Sequence, residues 1–145
     1  MKKFMAVLVM LAGMAAGVAQ AGDYEKIESN RNFTGYLDYD TLKMDGDRMT
    51  FWIKNEFTKQ GVKNLFPKAK TSVSHSMEKF TADCQNDALY SHEIHIYDAK
   101  KKVVHSENSY AQVSMIPDSV NANTYKYICG ILASAKEKIK QQATK

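Results

Sequence analysis

The sequence predicts an α+β protein: an antiparallel sheet of five to six strands packed on a C-terminal α-helix and held by one disulfide. Three observations carry this. Apolar residues alternate with period two through Met49–Phe57, and they recur every three or four positions from Tyr125 to Ile139. Only two cysteines occur, Cys84 and Cys129, both downstream of an N-terminal export signal.

The export signal is read first because it sets the compartment. Lys2 and Lys3 precede an apolar run from Phe4 to Val18, and Ala19-Gln20-Ala21 fits the small-x-small rule for cleavage. Met1–Ala21 is therefore expected to be a cleavable signal peptide, too short in its apolar core to span a bilayer. Gly22–Lys145 is expected to form a single exported domain, periplasmic or at the cell surface. The residue after Ala21 is Gly22 and not cysteine, so lipid attachment at the cleavage site is not expected. Loss of Lys2 and Lys3 leaves only two more basic than acidic side chains, which argues against a nucleic-acid binder with its concentrated basic face. An even cysteine count in an oxidising compartment favours one intramolecular disulfide, and a single pair allows one connectivity.

Along the mature chain, Tyr24–Glu28 is a candidate edge strand. Tyr36–Leu42 and Met49–Phe57 then read as a hairpin. Met49, Phe51, Ile53 and Phe57 share one side of the second strand, opposite Thr50, Trp52, Lys54 and Glu56. A three-residue loop, Met44-Asp45-Gly46, pairs odd positions with odd ones: Leu37 with Ile53, Tyr39 with Phe51, Thr41 with Met49. It buries one coherent face and gives Gly46 the left-handed position.

Asn55–Ala69 lacks a period and reads as a long loop or short helix. Ser72–Phe80, Leu89–Tyr97, Lys102–Ser106 and Ala111–Ile116 are weaker strand candidates, with a turn at Asp98-Ala99-Lys100. The final helix presents Tyr125, Ile128, Leu132, Ala135 and Ile139 as its apolar stripe. Ser119, Asn121 or Asn123 could supply its N-cap. Cys129 lies beside the stripe, so a bridge would pin the helix's first turns to the strand end at Asp83-Cys84.

Chemistry is sparse. His92 and His95, three apart on a regular strand, face opposite sides and cannot share one metal ion without a bulge. The paired carboxylates Asp38 and Asp40 lack a catalytic partner, and no GxSxG, HExxH or phosphate-binding glycine loop occurs. No enzyme activity, metal or cofactor is expected. Trp52 stands apart. It shares its strand face with Lys54, close to Asp38 across the hairpin. Either the C-terminal helix or a loop covers it, or it is an aromatic anchor for a protein partner, with Lys54 and Asp38 beside it.

The ordered set Leu37-Asp38-Tyr39-Asp40, a turn, Phe51-Trp52, Asp83-Cys84, Ile116-Pro117-Asp118-Ser119 and Cys129 resembles the surface-adhesin protein E family of Gram-negative bacteria. The resemblance spans Tyr36 to Cys129. It implies an antiparallel sheet on a C-terminal helix, a Cys84–Cys129 bridge, no enzyme activity, and binding of host matrix or plasma proteins such as laminin and vitronectin. Two departures stand out: Ser109–Met115 carries Tyr110 where a tryptophan is expected, and the lipidation cysteine is missing. Fold therefore transfers more securely than adhesion. The leading expectation is a non-enzymatic exported protein that engages protein partners through its sheet, with a homodimer left open. The alternative is a periplasmic accessory or inhibitor-like protein with a bacterial partner. A small His-based metal or ligand binder is the third.

Overall fold

The computed structural model describes residues 22–69 and 72–144; the expected signal peptide lies outside them. Six strands form one antiparallel meander in the order β1-β2-β3-β4-β5-β6. They are β1 (Tyr24–Ser29), β2 (Phe33–Asp45), β3 (Arg48–Phe57), β4 (Val73–Asp83), β5 (Ala88–Asp98) and β6 (Val103–Gln112). A short helix, α1 (Lys59–Leu65), joins β3 to β4, and α2 (Val120–Ala143) closes the chain. The α+β class, the terminal helix and the Cys84–Cys129 bridge are as the sequence predicts.

The alternation in β3 does what its pattern demands. Met49, Phe51 and Ile53 are buried, while Thr50, Trp52 and Lys54 face the other way and are half-buried. Leu37, Phe80, Ala82 and Leu89 join them from neighbouring strands, and Ile128 and Leu132 of α2 complete the core. Phe51 and Phe80 stack in register with ring centroids 5.8 Å apart. Burying each such side chain stabilises the fold by about 1.5–3 kcal/mol.

Ser119 is the N-cap of α2, its Oγ accepting from the Ala122 amide at 3.2 Å. Asn121 instead donates its side-chain amide to the Ser114 carbonyl. The predicted stripe holds at Ile128 and Leu132, but Ile139 is 52% exposed. The last turns of α2 therefore leave the core: no helix residue after Leu132 is buried.

The hairpin corrects one expectation. Leu37 does pair with Ile53, but Asp38 pairs with Trp52, and the next partners are Lys43 with Thr50 and Asp45 with Arg48. Tyr39–Leu42 thus stand opposite Phe51 alone. The turn is a two-residue Gly46-Asp47 loop, not Met44-Asp45-Gly46, and Gly46 has φ of +59° at the first loop position, where glycine is favoured. Polar groups hold the bulge. Asp38 Oδ1 accepts from the Asp40 amide at 3.2 Å; Thr41 Oγ1 donates to the Asp38 carbonyl at 2.7 Å and accepts from the Trp52 amide at 3.0 Å. Parity reasoning assumes a continuous ladder, and here the surplus residues leave the ladder before the turn.

The other correction concerns the last strand. Lys102–Ser106 and Ala111–Ile116 are not two strands; Val103–Gln112 is one, and 113–116 lie outside it. Every residue of β6 is exposed, so no buried face imposed a hydrophobic period on it.

Candidate functional site

Because α2 packs against the Met49–Phe51–Ile53 side of the sheet, the opposite face carries no helix. Backbone pairing decides what stands there. Trp52 of β3 is level with Lys79 of β4, Lys79 with Glu93 of β5, and Met77 with His95. On β6, Asn108 pairs with Glu93 and Ser106 with His95.

The side chains join into a network across four strands. The Trp52 indole and the His95 ring lie nearly parallel, centroids 5.9 Å apart, and Lys79 Nζ sits 5.8 Å from the indole centroid. Lys79 Nζ donates to Glu93 Oε1 at 3.3 Å, and Glu93 Oε2 meets His95 Nε2 at 3.1 Å. His95 Nδ1 lies 2.8 Å from Ser106 Oγ. The His95 hydrogen bond, with Lys79 adding, holds the Glu93 carboxyl below its ordinary range. An ordered Trp flanked by a cation and an imidazole loses little freedom when a partner covers it, which favours its use as an anchor. Beside it, Asp40, Thr41, Lys43 and Thr50 line a hollow of about 280 Å³.

Two aromatic clusters flank this centre. At one end Tyr90 and Tyr110 stack at 5.0 Å, and the His92 ring meets Tyr110 edge-on at 4.9 Å. His92 Nε2 is 2.7 Å from Thr81 Oγ1, which in turn bonds Thr50. At the other end His75 and Tyr97 stack at 4.7 Å. Burial, the larger cause in each case, pushes His75 and His92 below the ordinary histidine range; Lys54 adds to this at His75 and Lys79 at His92.

Sequence reasoning missed this concentration of imidazoles. His92 and His95 were expected on opposite sides. The ladder slips between Lys79 and Phe80 and between Ser91 and Glu93, which returns both to one face. Among the described residues, no group of three or more His, Cys, Asp or Glu side chains is placed to hold a metal ion. The odd-numbered run His75, Met77, Lys79, Thr81 in β4 was the signal for this face, obscured by the polar Ser76 and Glu78 between them on the helix side.

The residues singled out from sequence lie together but differ in access. Trp52 is half-buried, and α2 lies on the far side of the sheet from it. Lys54 Nζ donates to Glu56 Oε1 at 2.6 Å and stands 5.6 Å from the Tyr24 ring centroid. Asp38 is only 8% exposed and serves the β2 bulge. Burial and the nearby Asp38 raise the Tyr24 hydroxyl above its ordinary range. Cys84 and Cys129 are bridged with Cα atoms 5.7 Å apart, at the edge of the core and away from this face. Around that bridge Arg48 Nε meets Asp83 Oδ2 at 2.9 Å, Tyr125 donates to Asp87 at 2.9 Å, and Lys136 pairs with Asp47. Burial and that bond to Asp87 push the Tyr125 hydroxyl up to about 12.

Comparison with known proteins gives a consistent answer. The family model described as surface-adhesin protein E matches residues 24–130. Among solved structures, protein E from non-typeable Haemophilus influenzae is similar with a TM-score of 0.51 at 17% identity, covering 77% of this chain and 78% of that one. A second crystal form of Haemophilus influenzae protein E gives a TM-score of 0.53 at 16% identity, with 74% and 87% covered. At such identities the likeness is one of fold. No curated protein sequence matches the chain.

Proposed function

The chain belongs to the surface-adhesin protein E family, and from that premise we propose that it is a non-enzymatic, exported adhesin-like protein that binds protein partners of host matrix or plasma through the helix-free face of its sheet. The observation that carries the proposal is the Trp52–Lys79–Glu93–His95 network, ordered across β3, β4 and β5 on the face that α2 leaves bare. Aromatic side chains set in a polar frame are the composition that concentrates binding energy at protein interfaces. Trp52 is the anchor in this reading, Lys54 a rim contact, and Asp38 a support that fixes the backbone behind Trp52. Cys84–Cys129 secures the fold and takes no part in binding. Among the described residues no helix is long and apolar enough to cross a membrane.

The test is capture from host matrix extract and, separately, from periplasm, by wild type and by Trp52→Ala. The proposal expects capture from the matrix extract and at least about tenfold weaker capture by the variant, the range of an interface hot spot. Equal capture by both would remove this face. Protease resistance of the protein on intact cells, lost after outer-membrane lysis, would turn the reading towards a periplasmic partner.

A further inference from the structure

On the helix side of the sheet, beyond the N-terminus of α2, lies a groove of about 510 Å³ that the helix does not cover. That volume is in the range of small-molecule sites. Its wall is aromatic: Phe57 at the end of β3 and Phe66 just after α1 meet edge-on at 5.0 Å. Ile94 and Ile96 of β5 form part of its floor. One ionisable side chain lines it, Glu78 of β4. Glu78 Oε1 accepts from Asn55 Nδ2 at 3.0 Å and from Ser76 Oγ at 2.9 Å, and Ser76 is fully buried. The carboxylate is thus fixed in place, while Oε2 takes no protein hydrogen bond among the described residues.

Charge selects the occupant. A carboxylate held at the foot of an apolar wall repels anions and offers a neutral ligand one acceptor, but it matches a cation by a charge-assisted hydrogen bond. The N-terminus of α2 contributes only about half a positive charge, and Ser119 Oγ already caps it. We propose that this groove binds apolar amines, with the ammonium head on Glu78 Oε2 and the alkyl or aryl body against Phe57, Phe66, Ile94 and Ile96. This site is separate from the helix-free face and does not depend on the partner proposed for it.

Octylammonium, octanol and octanoate share one apolar body and differ in charge, so titrating each into isotope-labelled protein isolates the contribution of Glu78. Octylammonium is expected to bind at least about tenfold more tightly than the other two. Its amide shifts should centre on Leu65, Phe66, Ile94 and Ile96. Glu78→Gln keeps the shape and the acceptor that Asn55 and Ser76 use, and should cut the preference over octanol to about threefold or less. Ile94→Phe adds bulk at the floor and should weaken all three ligands. Octanoate binding as tightly as the amine, an unchanged preference in Glu78→Gln, shifts centred on the Trp52 face, or no saturable binding of octylammonium would each overturn the proposal.

Discussion

Alanine at Gly61 and alanine at Gly130 should move stability in opposite directions, although both glycines are helical. A Cβ on Gly61 would stand 1.8 Å from the Asn32 carbonyl oxygen and 2.6 Å from its carbon, against 3.4–4 Å for ordinary contact. Backbone meets backbone there, so α1 must retreat from the β1–β2 turn by more than an ångström. That retreat strains the Thr58 amide bond to the Asn32 carbonyl at 2.9 Å, the Thr58 Oγ1 bond to the Arg31 carbonyl at 2.6 Å, and the Asn64–Asn32 side-chain bond at 2.9 Å. Each is worth about 0.5–1.5 kcal/mol net, and better helix propensity returns at most about 1 kcal/mol. We expect Gly61→Ala to cost about 2–3 kcal/mol. A Cβ on Gly130 meets nothing within 4 Å, so Gly130→Ala should gain up to about 1 kcal/mol. For a domain of this size, roughly 3–6 °C of Tm corresponds to each kcal/mol. Urea unfolding at constant m-value reads both variants. A Gly61→Ala protein as stable as wild type, or a Gly130→Ala protein that is less stable, would refute the packing argument.

Three further outcomes follow from the same geometry. Replacing Cys84 and Cys129 with alanine should lower unfolding free energy by up to about 4 kcal/mol while leaving partner binding unchanged below the new Tm; loss of binding at retained stability would contradict a purely structural bridge. His75 and His92 have folded pKa values below their unfolded ones, so their contribution to stability is complete above about pH 6.5 and is lost as pH falls towards the folded values. Urea midpoints should therefore drop between pH 7 and pH 5, and a His75→Phe, His92→Gln double variant should flatten that slope. Glu93 is also depressed, and its contribution is present above about pH 4.5 and lost as pH falls through its folded value. Glu93→Gln should reduce the acid-side loss, and an unchanged profile would show that the Lys79–Glu93–His95 contacts carry no stability.

What the sequence revealed and what it hid divide along burial. The β3 alternation and the Ile128–Leu132 stripe were legible because one side of each is driven into the core. Strand β6 left no such trace because it is exposed on both sides. The hairpin register was legible only as far as the ladder is continuous. Tyr39–Leu42 keep a strand-like composition while four residues oppose one, and no local pattern distinguishes that bulge from a longer turn. The site suffered in the same way. Trp52, Lys54 and Asp38 came from one regular stretch of hairpin, whereas the gathering of His75, His92 and His95 depends on slips in the β4–β5–β6 ladders. The groove at Glu78 depends on where α2 begins relative to α1, which no short spacing in the sequence encodes.

Hydroxyl-radical footprinting of the complex with the captured host protein decides whether the helix-free face is the interface, because it reads side chains on both sides of the sheet at once. Tyr110 is 63% exposed on the helix-free face, and Tyr127 is 37% exposed on α2, so each can report in the free protein. Bound partner should protect Trp52, Tyr90 and Tyr110 and leave Tyr127 unchanged. Protection of Tyr127 with Trp52 and Tyr110 still fully reactive would place the interface on the helix and contradict the proposal.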